Sequence, residues 1–390
     1  MKRILEFGVF AILTLSFGVA CEKEKHELTK PDPVEIPIDW SKRAMSVKNP
    51  TEMSLHEKVC QMFFVRPESL TPGVLTSAIG ATIRNFEKYP VGGFLLFADN
   101  IVNPKQIRSF NDHLHRLGNY PLIAVDEEGG VVARIGRNKN FAVPTYSDMY
   151  SVGQKKDLEY TYEVGLSIGS YVAENGFDID FAPVSDVFTN PANKVIGKRA
   201  FGSEPELVAN NVERFVKAFT KAGICSCLKH FPGHGDTSTD SHTGYAESGK
   251  SWEEMLACEI IPFRAGIAAG ADFVMSAHIA APRVTGNKEP STLSKMMMTD
   301  KLRNELSFKG IIVSDGMEMG AIVKHYSSEE AALKAVEAGV DMILVPMDYK
   351  KAIDAVEAAV NAGTIQESRI NESVERIMKL KKRLLENRMK

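Results

Sequence analysis

From residue 50 onward the chain alternates short apolar runs with longer amphipathic stretches. Eight runs stand out: Gln61–Val65, Gly93–Phe97, Leu122–Asp126, Asp178–Pro183, Cys225–His230, Asp272–His278, Gly310–Asp315 and Asp341–Pro346. Each is apolar nearly throughout instead of alternating with polar positions, the pattern of parallel strands covered on both faces. Between them the apolar spacing lengthens to three or four residues. That spacing predicts helices over stretches such as Asp157–Asn175, Pro205–Ala222, Trp252–Ala269, Leu293–Leu306 and Glu329–Ala338. Eight strand–helix units predict an α/β fold, a single (β/α)8 barrel of the TIM type. A doubly wound open sheet is the alternative, but no glycine-rich phosphate loop follows the first run. At the C-terminal end, Thr364–Lys390 places Ile370, Val374, Ile377, Leu380 or Lys381, and Leu384 three or four apart. This predicts a further helix, packed on the barrel, with a basic solvated face.

The first 20 residues follow a different pattern. Lys2 and Arg3 precede an apolar run from Phe7 to Ala20, and these 14 residues fall short of a membrane-spanning helix. They predict an export signal over residues 1–20. Gly18-Val19-Ala20-Cys21 resembles the bacterial lipoprotein signal, although Leu is usual where Gly18 stands. The resemblance implies a lipid on Cys21 and an exported, membrane-anchored chain. A plain secretory signal with Cys21 incidental is the alternative. Residues 21–49 then read as the anchored cysteine and a tether, charged at first and Pro-rich at Pro31, Pro33 and Pro37. Residues 50–390 are expected to form the barrel, with no second domain.

Composition narrows the function classes. The 390 residues are 44% hydrophobic and 25% charged, an ordinary globular balance that excludes disorder and a disulfide scaffold. Net charge is −3, from 47 basic and 50 acidic residues, and becomes −4 once residues 1–20 are removed. No basic block is present to track a phosphate backbone, so no nucleic-acid partner is expected. Cys225 and Cys227, two apart in an apolar run, lack the spacing of a zinc or redox motif, and these two with Cys60 and Cys258 are expected as buried free thiols, a disulfide being the alternative. The expected assembly is a monomer.

In a barrel, chemistry gathers at the C-terminal ends of the strands. There the chain places Asp126-Glu127-Glu128-Gly129-Gly130 with Arg134 beyond, then Asp186 and Arg199. After the fifth run come Lys229 to Asp236 and Asp240-Ser241-His242, followed by Ser276-Ala277-His278 and Ser314-Asp315-Gly316. Four of nine histidines, His230, His234, His242 and His278, lie in two of these segments, more than packing requires. One reading is metal-assisted hydrolysis with His230, His234, Asp236 and Asp240 as ligands. Metal-dependent barrels commonly carry two histidines at the end of the first strand, where this chain has Met62-Phe63-Phe64-Val65. No metal and no cofactor are therefore expected. The other reading is sugar chemistry with Asp315 as a carboxylate nucleophile at the tip of a rigid strand. No second carboxylic acid stands out as its partner. Asp240 and His242, two apart, share one side of an extended loop, where Asp orients and charge-stabilises the imidazole.

These motifs resemble glycoside hydrolase family 3, in its β-N-acetylglucosaminidase (β-N-acetylhexosaminidase) branch, over about residues 50–380. The Lys229–Asp236 and Asp240-Ser241-His242 signature is joined by Gly92–Phe97, Asp126-x-Glu128-Gly129-Gly130 and Phe181-Ala182-Pro183-Val184-x-Asp186-Val187. Ile196-Gly197-x-Arg199-x-Phe201-Gly202 and the Ser314–Met317 turn complete the set, in the right order. The resemblance implies a retaining hydrolase acting on terminal N-acetyl-β-D-glucosaminides, such as peptidoglycan fragments or other exported glycans. It implies Asp315 as nucleophile and His242 as acid/base assisted by Asp240. Asp126, Arg134, Arg199, Lys229 and His230 match positions that bind the sugar in the minus-one subsite. β-Glucosidase members take a Glu acid/base from a second domain, whereas the last strand and helices use the 75 residues that follow Asp315. A β-glucosidase-like or phosphorolytic member, or an inactive lipid-anchored glycan-binding protein, remain the alternatives. Glu127 and Val131 stand where Gln and Arg are common, and Asp180 where Asn or Ser is. All three are expected to bear on substrate contacts beyond the reacting sugar.

Overall fold

A computed structural model describes residues 38–237 and 246–389. Eight parallel strands close into a barrel: β1 (Phe63–Val65), β2 (Gly93–Leu95), β3 (Leu122–Val125), β4 (Ile179–Asp180), β5 (Cys225–Phe231), β6 (Phe273–Ser276), β7 (Ile311–Gly316) and β8 (Met342–Leu344). Each pairs with its neighbour in the chain, and β8 closes on β1 with Phe63 opposite Ile343 and Phe64 opposite Leu344. Parallel pairing needs a crossover after every strand. Helices supply them, among them Pro104–His115, Leu158–Glu174, Pro205–Ala222 and Ser328–Ala338, and helix Tyr349–Asn361 follows the last strand. Phe64, Phe94, Ile123, Ile179, Leu228, Val274, Ile312 and Ile343 are fully buried, which is why the strand runs carry no polar alternation. The expected (β/α)8 barrel is the fold that forms.

Element boundaries differ from expectation for local reasons. β4 is confined to Ile179–Asp180, because Pro183 has no N–H to extend a ladder. The stretch Trp252–Ala269 divides into helices Trp252–Leu256 and Ile260–Ala268. The break puts Pro262 in a first turn, where its missing N–H leaves no intrahelical bond unmade. Leu293–Leu306 becomes a short 3₁₀ turn, Ser291–Leu293, and a wider π-type helix, Met296–Glu305. An unforeseen two-stranded parallel ladder pairs Ala246–Glu247 with Ile279–Ala280.

The N-terminal end of the barrel is closed by both chain-end helices. Residues 38–49, expected within the tether, belong instead to the folded body. Helix Trp40–Met45 is capped by Asp39, whose carboxylate accepts from the Lys42 N–H. Trp40 packs edge-on against His115 and Tyr120, and Arg43 donates to the carbonyls of His115 and Leu117. The C-terminal helix, Glu367–Arg388, buries Ile370, Val374, Ile377 and Leu384 as their spacing predicts. Its basic face is not simply solvated. Arg376 pairs with Asp341 at 3.0 Å, Arg383 with Asp272, and Arg388 with Asp178 at 2.9 Å. Three carboxylates at strand starts thus fasten one helix across the barrel floor. Cys60, Cys225, Cys227 and Cys258 are free, the first three fully buried. The signal segment and Cys21 lie outside the described residues. No described helix is long and apolar enough to cross a membrane.

Candidate active site

The C-terminal strand ends surround a pocket of about 520 Å³ lined in part by Asp126, Glu128, Arg134, Arg199, Lys229, His230 and Asp315. A larger groove of about 770 Å³ lies at the opposite end, against the C-terminal helix. Its Asp272 and Arg383 are already paired to each other as packing elements. The described residues expected to carry the chemistry line the smaller pocket.

Asp315 ends the buried run Ile311–Val313, and the Gly316 N–H donates to its Oδ1 at 2.7 Å. Burial would raise the carboxyl pKa, but the adjacent His230 and His278, the Gly316 N–H and Lys229 outweigh it and hold it below the usual range. Asp315 is therefore ionised, the state a carboxylate nucleophile needs.

Across the pocket, the period-two geometry of extended chain turns Asp126 and Glu128 to one side and Glu127 to the other. Gly129 and Gly130, with φ of +82° and +73°, then reverse the chain in a region that side chains disfavour. Glu128 accepts from Arg199 Nε at 2.8 Å and Nη2 at 2.7 Å, and its carboxylate is 2.6 Å from Lys229 Nζ. Burial opposes its charge, yet the two cations hold its pKa far below the carboxylate range and are themselves pushed up. Lys229 also donates to Asp126 at 2.9 Å, and Arg134 lies 3.6 Å from the other Asp126 oxygen. The five sugar-binding residues expected from sequence are thus brought together. Glu128, seen in the sequence only as part of a motif, is the hub that binds two of them.

His230 is set by Asp186, whose Oδ2 lies 2.7 Å from Nδ1 while Oδ1 accepts from the backbone N–H groups of His230 and His234. Burial of Asp186 is outweighed by the adjacent His230, which lowers its pKa. His230 Nε2 is 3.3 Å from Arg199 Nη2; a guanidinium only donates, so Nε2 accepts and the ring proton is on Nδ1. Gly235 permits this loop to lie on the chain that follows β4, since a Cβ there would sit 1.9 Å from the Val187 carbonyl oxygen.

Two departures from the family pattern have a different role from the one expected. Glu127 accepts from the N–H groups of Arg134, Ile135 and Gly136 and from the Tyr171 hydroxyl. It is fully buried and shapes the loop that carries Arg134. Asp180 is also fully buried, accepts from the Glu127 N–H at 2.8 Å, and has its pKa pushed well up by burial. Neither reaches the pocket. Val131 is exposed and outside its lining. Asp240 and His242 lie outside the described residues. Of the alternative metal ligands, His234 directs Nδ1 at Thr237 Oγ1, 2.6 Å away. Among the described residues no three His, Cys, Asp or Glu side chains converge as a metal-binding group.

The closed parallel barrel alone fixes no activity, but an ionised strand-tip carboxylate sharing a pocket with paired cations suits sugar chemistry. Residues 54–380 match the model of the glycosyl hydrolase family 3 N terminal domain, and the chain belongs to that family. It is 33% identical over 292 residues to a β-hexosaminidase of Stenotrophomonas maltophilia (strain R551-3), covering 73% of this chain and 86% of that one. It is 33% identical over 323 residues to β-hexosaminidase A of Pseudoalteromonas piscicida, covering 76% of this chain and 54% of that protein. The solved family 3 β-N-acetylglucosaminidase of Paenibacillus sp. str. FPU-7 superposes with a TM-score of 0.79 at 38% identity, over 85% of this chain and 63% of that one. The chain thus spans just over half of the Pseudoalteromonas relative and less than two thirds of the Paenibacillus one.

Proposed function

We propose that the chain is a retaining β-N-acetylglucosaminidase that hydrolyses terminal N-acetyl-β-D-glucosaminides. The observation that carries this reading is the ionised Asp315 in the pocket that also holds Asp126, Arg134, Arg199, Lys229 and His230, a set able to donate to and accept from sugar hydroxyls. An Asp315 oxygen attacks the anomeric carbon, and the bond to the leaving oxygen breaks with its electron pair on that oxygen, which takes a proton from His242. Water then attacks the same carbon and gives a proton to His242, and the bond to Asp315 breaks to restore the carboxylate. Asp240 steadies the imidazole in both steps. The names of the relatives support the N-acetylated sugar, and the Cys21 motif supports export and lipid anchoring, with peptidoglycan fragments or other exported glycans as substrates. Cys21→Ser is expected to move the chain from the membrane fraction to the soluble one.

The test is turnover by the full chain of 4-nitrophenyl N-acetyl-β-glucosaminide against 4-nitrophenyl β-glucoside, with and without phosphate. The N-acetyl substrate is expected to lead by at least ~10²-fold in kcat/KM, releasing free N-acetylglucosamine in either buffer. A sugar 1-phosphate product would favour phosphorolysis, and preference for the glucoside a β-glucosidase. Turnover of neither would favour a glycan-binding protein.

A further inference from the structure

We infer that His278 is a positioning residue that aims the Asp315 carboxylate by holding the Gly316 carbonyl, an inference that rests on the reading of Asp315 as nucleophile. Gly316 is where the nucleophile's turn has least restraint of its own. Glycine has the widest backbone freedom, and a Cβ here would meet nothing closer than 3.6 Å, so close packing does not confine it. Hydrogen bonds do. The Gly316 N–H donates to Asp315 Oδ1 at 2.7 Å, so the orientation of this residue's backbone is the orientation of the carboxylate. The Met317 N–H, next along, donates to the Leu344 carbonyl at 2.8 Å. The Gly316 carbonyl between them lies 3.0 Å from His278 Nε2. A carbonyl oxygen only accepts, so Nε2 carries the proton and donates.

His278 is itself held rigidly. It follows β6 by two residues and is fully buried. Its Nδ1 lies 3.0 Å from Thr292 Oγ1, which in turn reaches the Ala277 carbonyl at 2.9 Å and Ser276 Oγ at 3.0 Å. The backbone just beyond is fixed twice: Ser291 Oγ donates to the Ile279 carbonyl at 2.7 Å, and Ile279 pairs with Ala246 in the small parallel ladder. A ring fastened at both nitrogens and along its backbone transmits the rigidity of β6 to the neighbouring tip of β7.

The experiment follows covalent labelling of the full chain by a 5-fluoro N-acetylglucosaminyl fluoride, together with kcat and KM on a nitrophenyl glycoside and a disaccharide. His278→Ala is expected to slow both labelling and kcat by ~10²-fold, the usual consequence of a small misplacement of a reacting group. KM should change by less than ~3-fold, because the sugar contacts are untouched. Both substrates should slow alike, unlike the loss of a proton donor. His278→Gln, whose amide N–H can reach the same carbonyl, should recover at least ~10-fold of the loss. Thr292→Val, which frees Nδ1, should give a smaller decrease of the same kind. If His278→Ala does not fold, the Gln and Val variants carry the comparison. Labelling at the wild-type rate, a loss confined to KM, or equal defects in the Gln and Ala variants would overturn the inference. Absence of label on Asp315 in the unaltered chain would overturn the nucleophile reading instead.

Discussion

Two buried histidine–aspartate pairs sit at opposite ends of this barrel with the same separation. At the floor, His115 Nε2 lies 2.7 Å from Asp178 Oδ2; at the mouth, His230 Nδ1 lies 2.7 Å from Asp186 Oδ2. The difference is what surrounds them. Asp178 also accepts from the Tyr120 hydroxyl, the Ile123 N–H and Arg388, all within 2.9 Å. His115 is stacked on Tyr120 at 4.7 Å, and among the described residues its Nδ1 has no hydrogen-bond partner. Burial drives its pKa down, so it is a neutral donor in a closed network. Asp186, by contrast, fixes two backbone N–H groups and one ring, leaving His230 Nε2 on the pocket side beside Arg199. Residue type and pair distance do not distinguish scaffold from site. Which end of the strands the pair occupies does.

The largest expected effect is at the mouth: Asp315→Asn should reduce kcat by ~10⁴-fold or more, with a melting temperature close to that of the unaltered chain. A large thermal loss instead would make Asp315 a structural residue like Asp178. Next, His242→Ala should slow a disaccharide by ~10²-fold or more but a nitrophenyl glycoside far less, since nitrophenolate departs without a proton. Equal slowing of both would remove His242 as the proton donor.

Crossed substitutions of the two pairs then test the contrast itself. Asp186→Asn would set an amide N–H against the protonated Nδ1 of His230, and should lower kcat/KM by ~10²-fold or more. Asp178→Asn should cost about 3–5 kcal/mol, because Arg388 loses its buried partner, while kcat per folded molecule stays the same. Loss of activity in folded Asp178→Asn would break the comparison.

A smaller effect is expected from pH. The folded pKa values of His115 and Asp178 both lie below the unfolded ones, so the unfolded chain binds more protons and stability falls as pH falls. The histidine contribution is complete above pH ~6.5 and is lost below it; the aspartate contribution is lost below ~3.9. Melting temperature should therefore decline from pH 7 to 5, and less steeply in His115→Gln. An identical slope in that variant would assign the decline to other groups, such as His234, whose pKa burial also lowers. The smallest expected effect is none: dialysis against EDTA should leave turnover intact, and a loss restored by zinc or manganese would revive His230, His234 and Asp236 as ligands.

The barrel was legible because strands buried on both faces read as unbroken apolar runs, and the pocket because polar residues follow those runs. Pairing was not legible. Spacing along one loop says nothing about which cation meets which carboxylate across the mouth, so Glu128 as the hub for Arg199 and Lys229 emerged only in three dimensions. Glu127 could have been excluded from the pocket, since extended chain points it away from Asp126 and Glu128. The floor contacts of Arg376, Arg383 and Arg388 looked like a solvated basic face because their acceptors lie at three distant strand starts. Trp40–Met45 looked like tether because its support comes from His115, Tyr120 and Arg388, far along the sequence.

The central claim is that chemistry belongs to the mouth and that Asp315 carries it. Peptide mass spectrometry of the chain trapped with a 5-fluoro N-acetylglucosaminyl fluoride tests it most directly. The account predicts one glycosyl group per molecule, on Asp315. Label on Asp126 or Asp186 instead would contradict it.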